Sequence, residues 1–210
     1  MRYIVPYGGL LRGRLAPGEI LVVSGETGSY GTAAVLLALA LGAARVIALG
    51  RNQKALDALA VVSGDRVVPV ALTGNLESDI EQVRGAANGG AHMAFDMVGG
   101  ATDPNATLTA LRSLHRGGRL VLMGSMSTPL PISYLDVMLN NWEILGQFMY
   151  TRESYSRLLD LVRSGVLDLT KIDPVIYPLD QLGEAMDKVA EIENLQCVII
   201  RHRTGPNGCS

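Results

Sequence analysis

Apolar runs alternate with segments of helical pattern along most of the chain, and this alternation restricts the fold more than any other feature. The runs EILVVS (19–24), RVIALG (45–50) and RVVPVAL (66–72) are rich in β-branched residues, and each precedes a stretch with apolar residues at helical spacing. Strands that are apolar throughout are buried on both faces, and helices between them imply parallel pairing. The sequence therefore predicts a doubly wound α/β fold.

Further strands and helices continue the same order. Strands are predicted at 91–98, 118–124 and 143–149, which makes six, and helices at 29–41, 52–62, 75–87, 105–115 and 150–165. Residues 173–202 then predict a strand, a helix and a strand. We therefore expect a sheet domain over 1–172, a C-terminal appendage over 173–202, and a frayed tail over 203–210.

The composition of the chain argues against nucleic acid and membranes as partners. The net charge of −2 and the pI near 5.9 leave no basic stripe for nucleic acid or for an anionic membrane surface. The longest uncharged apolar stretch, GTAAVLLALALGAA, is 14 residues, whereas a membrane span needs about 18. Cys197 and Cys209 form no disulfide framework, and the N-terminus has no apolar signal core, so we expect a cytoplasmic protein.

Three glycines follow the first strand in VVSGETGSYG, at positions 25, 28 and 31. A glycine-rich turn that opens a helix lets backbone N–H groups and the positive helix end face a diphosphate. The pattern matches G-x-G-x-x-G only in part, because Glu26 stands where the first glycine belongs. A nucleotide site is the first hypothesis, and a tight turn with close strand–helix packing is the alternative.

The second strand ends in Gly50, Arg51 and Asn52. An acidic residue there would bind the adenosine ribose hydroxyls of NAD, and this chain lacks one. Gly50 leaves space for a 2′-phosphate and Arg51 offers a charged fork, which favours NADP(H). The alternatives are a solvated arginine and a helix-capping asparagine.

The sequence lacks the motifs of several other classes of enzyme. The chain has no G-x-x-x-x-G-K-[ST], no G-x-S-x-G and no Tyr-x-x-x-Lys pair. A methyltransferase uses a similar loop but needs an acid where Gly50 stands. The histidines, His92, His115 and His202, are far apart in sequence without ligand spacing, so we expect no metal site. Asp96 ends a strand and is expected to shape a loop rather than to act as an acid or base.

Several segments together resemble the cofactor-binding half of the medium-chain dehydrogenase/reductase superfamily, near its zinc-type alcohol dehydrogenase-like and quinone oxidoreductase-like members. The resemblance rests on YGGLLRGRLAPGEILVVSGETGSYG, GAARVIALGRN, AFDMVGG, RGGRLVLMGS and ILGQFMYTRE, in that order and spacing. It implies a six-stranded Rossmann sheet with a C-terminal strand–helix–strand appendage. It also implies a dimer paired through the sixth strand, Trp142–Met149.

The resemblance also implies site positions, each with strand-end packing as its alternative. The pyrophosphate would face Gly28, Ser29, Tyr30 and Gly31, and the adenosine phosphate would face Gly50, Arg51 and Asn52. The adenine side would be formed by Leu72, Thr73, Met97, Val98 and Gly99, and the nicotinamide side by Gly124, Ser125, Phe148 and Met149.

Two departures bear on function. A carboxylate of Glu26 aimed inward would repel a diphosphate, so this side chain must either point away or weaken binding. The family also carries an upstream catalytic domain with its zinc ligands and most of its proton-relay residues, so no catalytic residue is assigned here. We expect an NADP(H)-dependent oxidoreductase acting on a small carbonyl, alcohol, quinone or activated alkene, present as its cofactor-binding domain and inactive alone. A non-catalytic NADP(H)-binding module is the alternative.

Overall fold

The computed structural model of the protein describes residues 2–25, 28–192 and 195–202. Six parallel strands form one sheet in the order β3-β2-β1-β4-β5-β6, and two further parallel strands, β7 and β8, pair separately. The strands are β1 (Ile20–Ser24), β2 (Arg45–Gly50), β3 (Val67–Ala71), β4 (Ala91–Asp96), β5 (Leu114–Leu122), β6 (Glu143–Gly146), β7 (Asp173–Pro178) and β8 (Gln196–Arg201).

Eight α-helices connect the described strands or precede them. They are α1 (Ile4–Arg12), α2 (Ser29–Ala40), α3 (Gln53–Ser63), α4 (Leu76–Ala86), α5 (Asn105–Arg112), α6 (Tyr134–Asn140), α7 (Arg152–Arg163) and α8 (Leu182–Glu191), with short 3₁₀ turns at Leu169–Lys171 and Leu179–Gln181. The predicted doubly wound six-stranded sheet is confirmed.

The apolar strands are buried on both faces, as their continuous sequence pattern predicts. One apolar cluster includes Leu21, Val23 and Phe95, and the opposite cluster includes Val22 and Ala94. Alternate residues of β1 therefore face opposite layers of helices. The chain order reverses between β1 and β4, which are neighbours in the sheet, and this is the switch point at which doubly wound folds bind ligands.

The longest apolar stretch of the sequence becomes α2, which is buried over residues 31–39. It packs on β1 and β2 below and against α1 beside it. Burial on all sides explains why this helix carries no polar face. Among the described residues, no helix combines the length and the apolarity that a membrane crossing requires.

The structure differs from the sequence prediction around β5 and β6. β5 begins four residues earlier than predicted, at Leu114, because Ala91 pairs with Leu114 before the register shifts at Met93. β6 ends at Gly146 instead of residue 149, because its partner strand β5 ends at Leu122, the residue that pairs with Gly146. The unpredicted helix α6 begins where the Ser133 side chain accepts from Asp136 N.

The C-terminal appendage folds as predicted, with α8 connecting β7 to β8. It exposes an apolar set of side chains: Ile176, Leu179, Leu182, Met186, Val189, Ile199 and Ile200. The division at residue 172 stays a prediction, and the predicted tail over 203–210 lies outside the described residues.

Candidate functional site

A cavity of about 620 Å³ lies at the carboxyl ends of β1, β2, β3 and β4. Its walls come from the loops that follow these strands and from the start of α5, so it occupies the crevice at the switch point. The described lining residues are Gly25, Gly28, Leu49, Gly50, Arg51, Leu72, Thr73, Gly74, Asp79, Met97, Val98, Gly99, Ala101, Asp103, Asn105 and Ala106.

Half of the site residues expected from the sequence line this cavity. They are Gly28, Gly50, Arg51, Leu72, Thr73, Met97, Val98 and Gly99. The positions lie far apart in the chain, and the parallel sheet brings them together because the carboxyl ends of its strands share one edge. The pyrophosphate, adenosine and adenine positions of the expected site are thus neighbours in space.

The other expected residues lie outside the cavity walls. Ser29, Tyr30 and Gly31 form the first turn of α2. Asn52 caps α3, since its Oδ1 accepts from Ala55 N at 3.2 Å. The expected orientation of Glu26 falls outside the described residues.

The nicotinamide-side pairs follow β5 and β6, beyond the cavity along the same edge. Gly124 lies so close to β4 that a side chain there would clash with Val98 O. Ser125 N donates to Val98 O at 3.0 Å and pairs with Gly99. Phe148 is 90% exposed and Met149 has a positive φ. Close strand-end packing alone accounts for the glycine at position 124.

The glycines of the first loop differ in what the fold requires of them. Gly25 has a φ of +79°, and a Cβ there would come within 2.9 Å of the Met97 backbone, so the fold itself requires glycine. Gly28 has φ −83° and ψ 161°, which any residue adopts, and a Cβ would meet no described atom closer than Gly25 O at 3.5 Å. The described fold therefore leaves the space beside Gly28 open at the N-terminus of α2.

Asp96 is a buried carboxyl at the end of β4, directly before the cavity residue Met97. It is 3% exposed, and its Oδ1 accepts from Ser24 Oγ at 2.8 Å and from Thr107 Oγ1 at 2.9 Å. Burial raises the pKa of this carboxyl, while the two hydroxyl donors oppose the rise. The carboxyl ties β1 to β4 and α5 at the switch point, which agrees with the loop-shaping role expected from the sequence.

Asp79 is a wall residue that the sequence analysis missed. Its Oδ1 accepts from Thr73 N at 2.8 Å and from Thr73 Oγ1 at 2.6 Å, and its Oδ2 accepts from Gly74 N at 3.2 Å. The carboxylate is 1% exposed and fixes the loop after β3. In the sequence it resembles any acidic residue in the first turn of a helix, so no signal distinguishes it.

Arg51 is the one cationic residue in the described lining of the cavity. Its side chain is exposed and makes no hydrogen bond or ion pair with a described residue. Asp103, which the sequence analysis also missed, lines the cavity and accepts from Asn105 N at 3.0 Å. The carboxylates of Asp79 and Asp103 accept hydrogen bonds from backbone N–H groups of their loops, whereas the Arg51 guanidinium is available to a ligand.

Two of the histidines, although far apart in sequence, are neighbours in the fold. The His92 and His115 rings lie 4.7 Å apart, edge to face, at the amino end of the sheet, opposite the cavity. His92 Nδ1 accepts from Ile20 N at 3.1 Å. Burial and the neighbouring His115 lower the pKa of His92. No three His, Cys, Asp or Glu side chains of the described chain are grouped to hold a metal ion.

Fold, strand order and crevice together define a doubly wound α/β domain of the Rossmann class. The zinc-binding dehydrogenase family matches residues 30–164 by its sequence profile, which is more than half of the chain. The chain belongs to this family, and the resemblance expected from its motifs is confirmed.

Relatives and solved structures give the same assignment. The chain is 27% identical to the sorbitol dehydrogenase of Bacillus subtilis over 87% of its own length and 50% of that protein. It is 23% identical to an NAD-dependent alcohol dehydrogenase of Sulfurisphaera tokodaii, over 93% of this chain and 53% of the relative. The alcohol dehydrogenase TADH from Thermus sp. ATN1 superposes with a TM-score of 0.78 at 25% identity, covering 96% of this chain and 56% of that structure. The chain thus spans about half the length of the curated relatives it matches.

Proposed function

We propose that this chain is the NADP(H)-binding domain of an oxidoreductase that moves hydride between a nicotinamide and a small carbonyl, alcohol, quinone or activated alkene. Membership of the zinc-binding dehydrogenase family supports an oxidoreductase, and so do relatives named as sugar-alcohol and alcohol dehydrogenases. The crevice at the switch point supports a nucleotide as the ligand.

The observation that carries the proposal is the open space at Gly28. Gly28 directly precedes the first turn of α2, whose N–H groups have no acceptor within the helix, and neither the backbone angles nor the described neighbours of Gly28 require a glycine. A diphosphate at a helix N-terminus needs donors at hydrogen-bond distance and no intervening side chain. The residues present therefore fit the phosphates of a dinucleotide.

The choice of NADP(H) rests on the end of β2. Gly50 provides no carboxylate to bind the ribose hydroxyls or to repel a 2′-phosphate, and Arg51 has no described partner of its own. A charge-assisted hydrogen bond from a guanidinium contributes about 1.5–3 kcal/mol. Two of the relatives are named NAD-dependent, so a preference for NADP(H) would be a property of the β2 end of this chain and not of every member of the family.

The remaining expected residues take their places along the same edge. We assign Ser29, Tyr30 and Gly31 to the pyrophosphate with Gly28, and Asn52 to the loop that carries Arg51. Gly124, Ser125, Phe148 and Met149 follow β5 and β6 and would lie on the nicotinamide side. A bound nicotinamide would supply the hydride-transfer chemistry in either direction, and the residues of this chain would bind and orient it. We assign no proton-transfer residue to the described chain.

The edge of the sheet suggests a homodimer. β6 is the terminal strand of the sheet, so one row of its backbone groups has no strand partner within the described fold. Exposed apolar side chains of α6, among them Leu135 and Leu139, lie in the segment just before it. We propose that β6 pairs with its copy across a two-fold axis, over Trp142–Met149, and that the protein works in the cytoplasm.

A thermal-shift titration of the 210-residue chain tests the ligand class. NADPH, NADH and S-adenosylmethionine are each added over a range of concentrations. We expect stabilisation by NADPH, weaker stabilisation by NADH, and none by S-adenosylmethionine. Stabilisation by S-adenosylmethionine alone would replace the proposal with a methyltransferase-like domain, and no response to any of the three would refute it.

A further inference from the structure

A second cavity, of about 390 Å³, is lined by residues of α1, of α7 and of the loop that follows β6. It shares no described lining residue with the crevice at the switch point. Its volume falls in the range of small-molecule sites. The structure thus offers a candidate site that the cofactor does not use.

The two helices bring arginines to this cavity from different parts of the chain. Gly8 and Arg12 are four residues apart on α1, and Ser154 and Arg157 are three residues apart on α7, so each pair shares one face of its helix. A Cβ at Gly8 would come within 2.7 Å of Met149 O, so α1 lies directly against the loop after β6. Arg12 and Arg157 therefore reach one cavity from two packed helices.

Positive charge is concentrated in the walls of this cavity. Arg12, Arg14 and Arg157 line it, and no aspartate or glutamate of the described residues does. Arg14 Nη2 donates to both carboxylate oxygens of Glu143 at 2.7 Å. Arg12 and Arg157 make no hydrogen bond or ion pair with any residue that the structure describes. The whole chain has a net charge of −2, so its composition does not account for this local excess of cations.

An anion between the two helices would relieve the repulsion between these like charges. The carboxylate of Glu153 is close in sequence but does not line the cavity. Hydrogen bonds from its own N–H and from the Thr151 hydroxyl lower the pKa of Glu153, so it stays charged without pairing with an arginine. Guanidinium groups match the oxygens of phosphate and carboxylate groups, which makes these the expected ligand groups.

We propose that this cavity binds a small organic polyanion, a phosphate ester or a polycarboxylate, through Arg12 and Arg157. Arg14 is a third cation of the walls, held in place by Glu143. Two arginines on different helices suit a ligand with more than one anionic group. Because Gln147 contributes to the same walls, the ligand would connect α1 and α7 with the loop after β6. The site goes beyond the proposed function, since it needs no nucleotide in the crevice.

Nuclear magnetic resonance titrations of the full chain test the site residue by residue. Pyrophosphate and citrate serve as the probes, one for phosphate groups and one for carboxylates. NADPH is present in excess, so that the crevice is filled, and the salt concentration is physiological, so that long-range attraction is screened. The wild type is compared with Arg12→Met, Arg157→Met and the double variant. Arg152→Met is the matched control, because Arg152 is an exposed arginine of the same helix that does not line the cavity.

We expect saturable shifts of the amides of Gly8, Arg12, Ser154 and Arg157 in the wild type. Each single variant should raise the dissociation constant about 3-fold to 10-fold, because it removes one charge-assisted contact at a partly exposed site. The double variant should lose saturable binding, and Arg152→Met should match the wild type. Tighter binding of pyrophosphate would assign the site to phosphate esters, and tighter binding of citrate would assign it to polycarboxylates.

Three results would overturn the inference. The first is the absence of saturable shifts at these amides with either probe at about 10 mM. The second is an equal loss of binding in Arg152→Met and in Arg12→Met, which would show diffuse attraction to a cationic surface. The third is saturable binding that neither cavity variant weakens. None of these results bears on the cofactor, whose binding depends on residues of the other cavity.

Discussion

Replacing Gly25 and Gly28 separately by alanine distinguishes a glycine that the fold needs from one that a ligand needs. At Gly25 an alanine must keep a φ of +79°, which costs about 1–2 kcal/mol. Its Cβ would also lie 2.9 Å from the carbonyl of Met97, and relief of such overpacking costs about 1–3 kcal/mol. Gly25→Ala should therefore lower the free energy of unfolding by roughly 2–5 kcal/mol.

Gly28→Ala should leave the stability almost unchanged. Its backbone angles suit alanine, and its nearest described neighbour is at an ordinary contact distance of 3.5 Å. Alanine restricts the unfolded chain, which stabilises by about 0.4–1 kcal/mol, but it is a poorer N-cap than glycine by a similar amount. The two effects offset one another to within about 0.5 kcal/mol.

Binding should respond differently from stability. A methyl group at position 28 would stand between the α2 backbone and a phosphate, so at least one charge-assisted hydrogen bond is lost. That loss corresponds to about 10-fold to 100-fold in the dissociation constant for NADPH. Urea unfolding measures the stability of both variants, and calorimetry measures NADPH binding by Gly28→Ala. If Gly28→Ala unfolds as easily as Gly25→Ala, or binds NADPH like the wild type, our reasoning about this loop is wrong.

Three further predictions concern the rest of the molecule. The pKa of His92 is lowered from its ordinary 6.5, so the unfolded chain takes up a proton that the folded chain resists. The contribution of neutral His92 to stability is present above about pH 6.5 and is lost as the pH falls through the folded pKa. The urea midpoint of the wild type should therefore fall more from about pH 7 to pH 5 than that of His92→Gln, and an equal fall would contradict this. Amides of the appendage, Asp173–His202, should exchange faster than those of β1, because its apolar face is exposed; equal protection would show full docking on the sheet. Light scattering at micromolar concentration should give the mass of a dimer through Trp142–Met149, and a soluble monomer would refute the pairing.

Much of the fold follows from the sequence because the strands carry their own signal. The run RVIALG became β2 at its predicted bounds, Arg45–Gly50, since β-branched apolar residues bounded by polar ones leave little choice. The helix α6 was missed although Leu135, Met138 and Leu139 stand at helical spacing, because a helix of seven residues is too short for a periodicity to be distinguished. Its start depends on the Ser133 side chain, a short-range signal that the flanking prolines obscured.

The site was predictable where it depends on strand ends and not where it depends on loops. Gly50, Arg51 and Val98 meet in one cavity because parallel strands end at one edge, which the strand order alone implies. Asp79 and Asp103 were not predicted as site residues. A carboxylate that accepts hydrogen bonds from loop N–H groups has the same sequence pattern as an acidic residue exposed to solvent.

The histidine pair shows a different limit of sequence reasoning. His92 and His115 are 4.7 Å apart because β4 and β5 are neighbours and their register shifts just there. Nothing in the spacing of two residues in a chain reports the register of two strands. Contacts of this kind can be predicted only when the order and the register of the strands are known.

The central claim is that the crevice binds NADP(H) through Arg51, and calorimetry of the wild-type chain with NADPH and with NADH tests it most directly. Arg51→Ala and Gly50→Asp are measured beside it, with Arg116→Ala as the control for removing a surface arginine. We predict that the wild type prefers NADPH by about 10-fold to 100-fold, that Arg51→Ala removes the preference, and that Gly50→Asp weakens NADPH more than NADH. Equal binding of the two cofactors by the wild type, or an intact preference in Arg51→Ala, would contradict the account.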